Sequence, residues 1–185
     1  FPERGRGRDE ILAGLTDQKT HDLPSNGRAF AFAYDAGKEL RDLSREAFSS
    51  CMGINGLDPT AYPSSRRIEQ TVVKAMLELL NAPEGAVGTA TAGGTESVLL
   101  AVKSCRDFFK GKTKTPKMLL PETAHACFHK GAHYFGVEVV PVDVDPVTFR
   151  ADIEDARRKM DEHVIMVVGS APSYAHGVID PIEEL

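Results

Sequence analysis

The sequence predicts an α/β fold built on a mainly parallel sheet with crossover helices. Three observations predict it. From about residue 86 onward, short apolar runs alternate with patterns of helical period. The run VIMVV at 164–168 is continuously apolar, as a strand covered on both faces requires. Small and polar residues gather where apolar runs end, in TAGGT (91–95), PETAH (121–125) and GSAPSY (169–174). In open α/β sheets, ligands sit beyond the carboxyl ends of the strands.

Residues 1–60 read as a loop-rich N-terminal segment, with DLPSNG and NGLDPTAYPSS as breakers and a helix over 35–50. Residues 61–185 read as the first part of a ligand-binding large domain. RRIEQTVVKAMLELLN carries Ile68, Val72, Met76, Leu79 and Leu80 at helical spacing. AVGTAT at 86–91 is expected to be a short buried strand. AGGTESVLLAVKSCRDFF opens on two glycines and continues as a helix. PKMLLP is a strand. TAHACFHKGAHYFG is a helix closed by Gly136. VEVVPV is a strand, DIEDARRKMD a helix and VIMVVGSA a strand.

Composition narrows the function. The formal net charge is −5 and no sustained basic run appears, which excludes a nucleic-acid surface. The cluster KGKTKTPK (110–117) reads as a solvated loop. Cys51, Cys105 and Cys127 are scattered and form no C-x-x-C, which argues against a disulfide framework or structural zinc and fits a reducing compartment. No apolar run approaches the roughly 18 residues of a membrane helix. The start, FPERGRGRDE, has no signal-peptide core and no Met, so upstream residues are expected to have been lost.

TAGGTES places Gly93, Gly94 and Thr95 at a strand-to-helix turn. Glycine lets the backbone approach a ligand, the helix start favours an anion, and Thr95 adds a hydroxyl. This reads as a phosphate cup. It matches neither G-x-x-x-x-G-K-[ST] nor G-x-G-x-x-G, so neither a nucleoside triphosphate nor a dinucleotide is implied.

His125, His129 and His133 recur every four residues. On a helix, His125 and His133 are separated by about 12 Å of rise. One ion with bonds near ~2 Å cannot take both. The acidic base usual inside a zinc H-x-x-x-H is also lacking, so no metal site is expected. His129 and His133 read as surface or packing residues. His125 sits at the strand-to-helix junction, level with the phosphate cup.

These segments carry a resemblance. TATAGGTESVLLAVKSCRDF, then PETAHACFHKGAHYFG, then GSAPSYAHGVIDPIEEL resemble pyridoxal-phosphate enzymes of the aspartate-aminotransferase fold (fold type I), and within it the group II decarboxylase family. INGLDPTAYPSSRRIEQTVV is similar to the branch of that family that cleaves phosphorylated sphingoid bases of the sphingosine-1-phosphate type. The resemblance runs from Ala33 onward.

The resemblance implies pyridoxal 5′-phosphate as cofactor. It implies that Gly94 and Thr95 hold its phosphate, that His125 stacks on its ring and that Ser170 lines it. It implies catalytic or substrate-facing roles for Tyr34, Asn55 and Tyr174. The branch has a histidine where this chain has Asp58. It also implies a Schiff-base lysine and an aspartate for the pyridinium nitrogen, both expected beyond Leu185. Lys130 is the tempting substitute, but it lies mid-helix.

The implied reaction is retro-aldol cleavage to a long-chain aldehyde and phosphoethanolamine, with proton transfer by Tyr174, Tyr34 or the missing lysine. The alternatives are an amino-acid decarboxylase of the same fold and a non-catalytic fragment. The 185-residue chain by itself is expected to be inactive. The resemblance further implies a homodimer with a shared active site, to which residues 1–60 reach across. A cytoplasmic enzyme is expected.

Overall fold

The computed structural model describes residues 3–24 and 34–185. They form two compact units, Phe1–Lys74 and Ala75–Leu185.

The first unit contains α1 (Arg8–Gln18), α2 (Lys38–Cys51) and the start of α3 (Pro63–Leu79), which continues into the second. Helix α1 lies in the stretch read from sequence as loop-rich. Ile11, Leu12 and Leu15 have helical spacing, but all three are exposed and the signal is correspondingly weak. Helix α2 starts after Gly37, whose φ of 101° suits glycine. The Gly37 N–H donates to Asp35 Oδ1 at 3.0 Å, and Arg41 binds both oxygens of the same carboxylate. The Gly37 bond first, and then Arg41, holds the Asp35 carboxyl below its usual range.

Helix α3 opens on Pro63, which fits a first helical turn. The turn before it is organised by Asp58. Its Oδ1 accepts from Thr60 Oγ1 at 2.6 Å, Thr60 N at 2.9 Å and Ala61 N at 3.3 Å.

The second unit adds α4 (Gly94–Phe108), β1 (Lys117–Pro121), α5 (Cys127–Phe135), β2 (Glu138–Val142), α6 (Ile153–Lys159) and β3 (Val164–Val167). The sheet runs β2-β1-β3, and both pairings are parallel. Parallel strands need crossovers, and α5 and α6 supply them.

Strand β1 is central and its residues alternate between two cores. Met118 and Leu120 pack with Val102, Ala132, Val137, Ile165 and Val168. Leu119 faces the other way, with Val142 and Ala156. Each such buried aliphatic contributes about 1.5–3 kcal/mol.

Helices α4 and α5 cross closely at Gly131. A Cβ there would lie 3.2 Å from Val102 Cγ2 and 3.5 Å from Leu99 Cδ2. Gly136 ends α5 with φ 66°, the left-handed cap expected from sequence. Helix α6 is capped by Asp152, which accepts the Asp155 N–H at 3.0 Å. Asp155 is itself buried and accepts from Asp143 N, Lys159 Nζ and Arg158 Nη2.

Residues 86–91 depart from expectation. They form no strand, and Val87 is 90% exposed. A strand exists by its ladder with a neighbour. Among the described residues, the three-stranded sheet has no ladder to 86–91. Among the described residues, no helix is long and apolar enough to cross a membrane.

Candidate cofactor site at the carboxyl edge of the sheet

Chain direction brings three segments to one edge of the second unit. Helix α4 leads through 109–116 into the amino end of β1, so its own start lies toward the carboxyl edge. Helix α5 begins six residues after β1 ends, at that same edge. Strand β3 leaves the sheet there into residues 168–180. Gly94, Thr95, His125, Ser170 and Tyr174 therefore all belong to this edge.

At the start of α4, Glu96 Oε2 accepts the Ala92 N–H at 2.7 Å, and Thr91 Oγ1 bonds Ser97 Oγ at 2.6 Å. Glu96 is the group that sequence reasoning missed here. Its signal was the acid three residues after the capping position, reaching back over the first turn. These bonds tie down the flanks of the turn. The N–H groups of Gly94 and Thr95 find no acceptor among the described residues. Nothing lies within 4 Å of where a Cβ would stand on Gly93 or Gly94. The turn thus presents open donors and the positive end of a fifteen-residue helix to solvent.

His125 lies just outside α5 rather than within the helix expected over 123–136. Its Nδ1 accepts the N–H of Cys127 at 3.1 Å, and its carbonyl accepts from Phe128 N at 3.1 Å. The side chain therefore takes up the first N–H of α5, with Nδ1 as the acceptor. The ring is exposed at the edge. Two residues earlier, Thr123 Oγ1 is buried with no hydrogen-bond partner. Cys127 is buried, and desolvation pushes its thiol up.

His129 and His133 are exposed on α5. Lys130 is mid-helix, its Nζ 5.6 Å from the Tyr134 ring centroid. Among the described residues, no group of three His, Cys, Asp or Glu side chains is placed to hold a metal ion.

Beyond β3, Ser170 and Tyr174 stand in one closed loop. Asp180 N donates to Ser170 O at 2.9 Å, while Ser170 N donates to Asp180 Oδ2 at 2.8 Å. Within the loop, Ser173 N donates to Val178 O and Gly177 N to Ser173 O. Ser173 is buried and its Oγ has no partner. Asp180 was also missed from sequence, where VIDPIEE gives no local sign of its long-range bonds.

Tyr34 and Asn55 lie in the other unit. Tyr34 is 89% exposed and borders an open hollow of about 220 Å³ with Arg41 and Arg45. Asn55 turns its Oδ1 onto Leu57 N at 3.1 Å. Asp58 is spent on its own turn, and the Thr60 hydroxyl bond first keeps its carboxyl below the usual range.

The conserved domain described as the pyridoxal-dependent decarboxylase conserved domain matches residues 24–185. The chain belongs to this family. Relatives within it include a sphingosine-1-phosphate lyase of Dictyostelium discoideum, 40% identical over 82% of this chain and 29% of that protein. The sphingosine-1-phosphate lyase of Drosophila melanogaster is 37% identical over 100% of this chain and 35% of that protein. A probable L-aspartate decarboxylase of Pyrococcus furiosus is 30% identical over 100% of this chain and 48% of that protein. The chain spans about a third of the length of the two lyases.

The structure of a sphingosine-1-phosphate lyase from Burkholderia pseudomallei superposes on the whole chain with TM-score 0.89 and 33% identity, over 45% of that chain. A Lactobacillus brevis glutamate decarboxylase, at 20% identity and TM-score 0.83, shares the fold.

The pyridoxal-dependent decarboxylase family implies pyridoxal phosphate, and the residues at this edge fit it. The open N–H donors of Gly94 and Thr95 suit a phosphate dianion at a helix start. The exposed His125 imidazole, oriented by Cys127 N, offers a flat face to an aromatic ring. The unpartnered Thr123 and Ser173 hydroxyls add buried polar atoms at the two neighbouring strand exits.

Proposed function

We propose that the protein is a pyridoxal-phosphate-dependent carbon–carbon lyase acting on phosphorylated sphingoid bases. The C2–C3 bond of the substrate breaks, the 3-hydroxyl gives up its proton, and C2 gains one. The products are a long-chain aldehyde and phosphoethanolamine. When bound, the cofactor supplies an electron sink for the pair released from the broken bond. The likeness to sphingosine-1-phosphate lyases along the chain carries this reading.

The chain's own residues take these roles in the proposal. Gly94 and Thr95 hold the cofactor phosphate through backbone N–H groups and the Thr95 hydroxyl. His125 packs its ring face on the pyridine and keeps water from that side. Ser170 lines the cofactor at the β3 exit. Tyr174 is the candidate proton carrier beside the substrate, with Tyr34 as the alternative. Asn55 belongs to the substrate side by resemblance. Asp58, whose Oδ1 is engaged in its own turn, is assigned no proton-transfer role. The assembly is proposed to be a homodimer. The exposed Leu40, Leu43 and Phe48 of α2 support an apolar contact surface.

The test is a pair of product assays on the full-length, cofactor-loaded protein. A phosphorylated sphingoid base is expected to give aldehyde and phosphoethanolamine in equal amounts. Carbon dioxide from an amino acid, with no aldehyde, would replace the lyase with a decarboxylase of the same fold.

A further inference from the structure

The loop that follows β3 is held by one buried carboxylate. Asp180 is 1% exposed. Its two carboxylate oxygens accept from two different segments: Oδ1 from Ala151 N at 2.9 Å and Oδ2 from Ser170 N at 2.8 Å. Its own N–H returns to Ser170 O at 2.9 Å. The neck of the loop is therefore closed by a reciprocal pair, with one oxygen left to anchor Ala151, two residues before α6.

Two further contacts run between the same segments. Arg150 Nε donates to Ile179 O at 2.7 Å. The His176 ring stacks on Phe149 with centroids 4.6 Å apart and planes at 14°. Asp145 fixes the far side by accepting from Val147 N and Thr148 N. The 170–180 loop is thus clasped against the β2–α6 connection.

A buried carboxylate is costly to desolvate, and backbone N–H donors on both oxygens offset that cost. Such a group is kept where geometry must be held. The loop it closes carries Ser170 at its neck and Tyr174 near its tip. We propose that Asp180 is a positioning residue: by bridging Ser170 and Ala151 it sets where Ser170 and Tyr174 stand at the carboxyl edge of the sheet. This rests on the reading above, in which those two side chains face cofactor and substrate. Asp180 itself is buried, with both oxygens taken by backbone N–H groups.

The variant Asp180→Asn keeps the shape but leaves only one acceptor oxygen, so either Ser170 N or Ala151 N loses its partner. In the full-length, cofactor-loaded protein three quantities are read: steady-state kinetics, amide hydrogen exchange and the visible circular dichroism of the bound cofactor. Small displacements of positioning groups cost on the order of ten- to a hundredfold in rate. The expected result is a kcat lowered at least about tenfold with KM within about threefold. The amides of Ser170, Ser173 and Gly177 exchange at least about tenfold faster, while those of β1 stay within about twofold. The cofactor dichroism changes. If Asp180→Asn does not fold, His176→Ala loosens the same clasp from outside the core and is expected to move the same amides and kcat in the same direction.

The double variant Asp180→Asn with Tyr174→Phe gives the sharper reading. If Asp180 acts through Tyr174, the double variant is about as slow as Tyr174→Phe alone. Multiplying rate losses, or exchange that rises equally in β1 and in the loop with kcat unchanged per folded site, overturns the proposal. Unchanged kinetics in Tyr174→Phe, with the loop amides still freed in Asp180→Asn, overturns the functional reading of Tyr174 and leaves the clasp standing.

Discussion

The imidazole Nδ1 of His125 accepts the backbone N–H of Cys127, 3.1 Å away. One side chain thereby takes up the first N–H of α5 and has its ring oriented by that bond. The two roles separate by substitution. An asparagine oxygen accepts the N–H two residues on in the same way, so His125→Asn is expected to keep the thermal stability of the protein within a degree or so. His125→Ala removes that bond and is expected to cost about 0.5–1.5 kcal/mol. Thermal unfolding of the two variants side by side checks this, and equal losses would mean that the bond contributes nothing.

The cysteines are expected to react in order of exposure. Cys51 is exposed, whereas Cys127 is buried and its thiol is pushed up by desolvation. A neutral, covered thiol is a poor nucleophile even at a helix start. Native-state alkylation followed by peptide mapping should label Cys51 first and Cys127 only on unfolding.

The crossing of α4 on α5 depends on the missing side chain of Gly131. A valine there drives its Cβ against Val102 and Leu99, which already stand at 3.2 and 3.5 Å from that point. Gly131→Val is expected to destabilise by about 1–3 kcal/mol. Since both helices begin at the candidate site, its cofactor affinity should fall as well, measured by titration.

The acid limb of stability follows from Asp155. Its carboxyl is held below the usual range, by the Lys159 hydrogen bond first and the Asp143 N–H next. A depressed carboxylate contributes above its unfolded value, about 3.9, and that contribution is lost as pH falls through the lower folded value. The Tm gap between wild type and Asp155→Asn should therefore be constant near neutrality and close below about pH 4. The raised Lys159 works in the opposite sense, contributing at neutral pH and losing its contribution as pH rises through its folded value. A gap that widens in acid would contradict this assignment.

Much of the second unit was legible in the sequence because its rules are local. Continuous apolar runs marked β1, β2 and β3, Gly136 marked the end of α5, and the Gly93–Gly94 turn marked the start of α4. Residues 86–91 misled because apolar composition says nothing about whether a neighbouring strand supplies a ladder. Helix α1 was missed because its apolar residues are few and half exposed. His125 was distinguished from His129 and His133 by its place at a strand end, while its bond to Cys127 N needed coordinates. Asp180 was invisible because its partners lie 10 and 29 residues away.

The claim on which the rest depends is that the α4 turn and His125 seat pyridoxal phosphate. Titration of pyridoxal phosphate into full-length apoprotein, followed by fluorescence, tests it most directly. Thr95→Ala and His125→Asn are each expected to raise the Kd at least about tenfold, the equivalent of one charge-assisted hydrogen bond or ring contact. His133→Ala should leave it within about twofold. Equal affinities across wild type and all three variants would contradict the account.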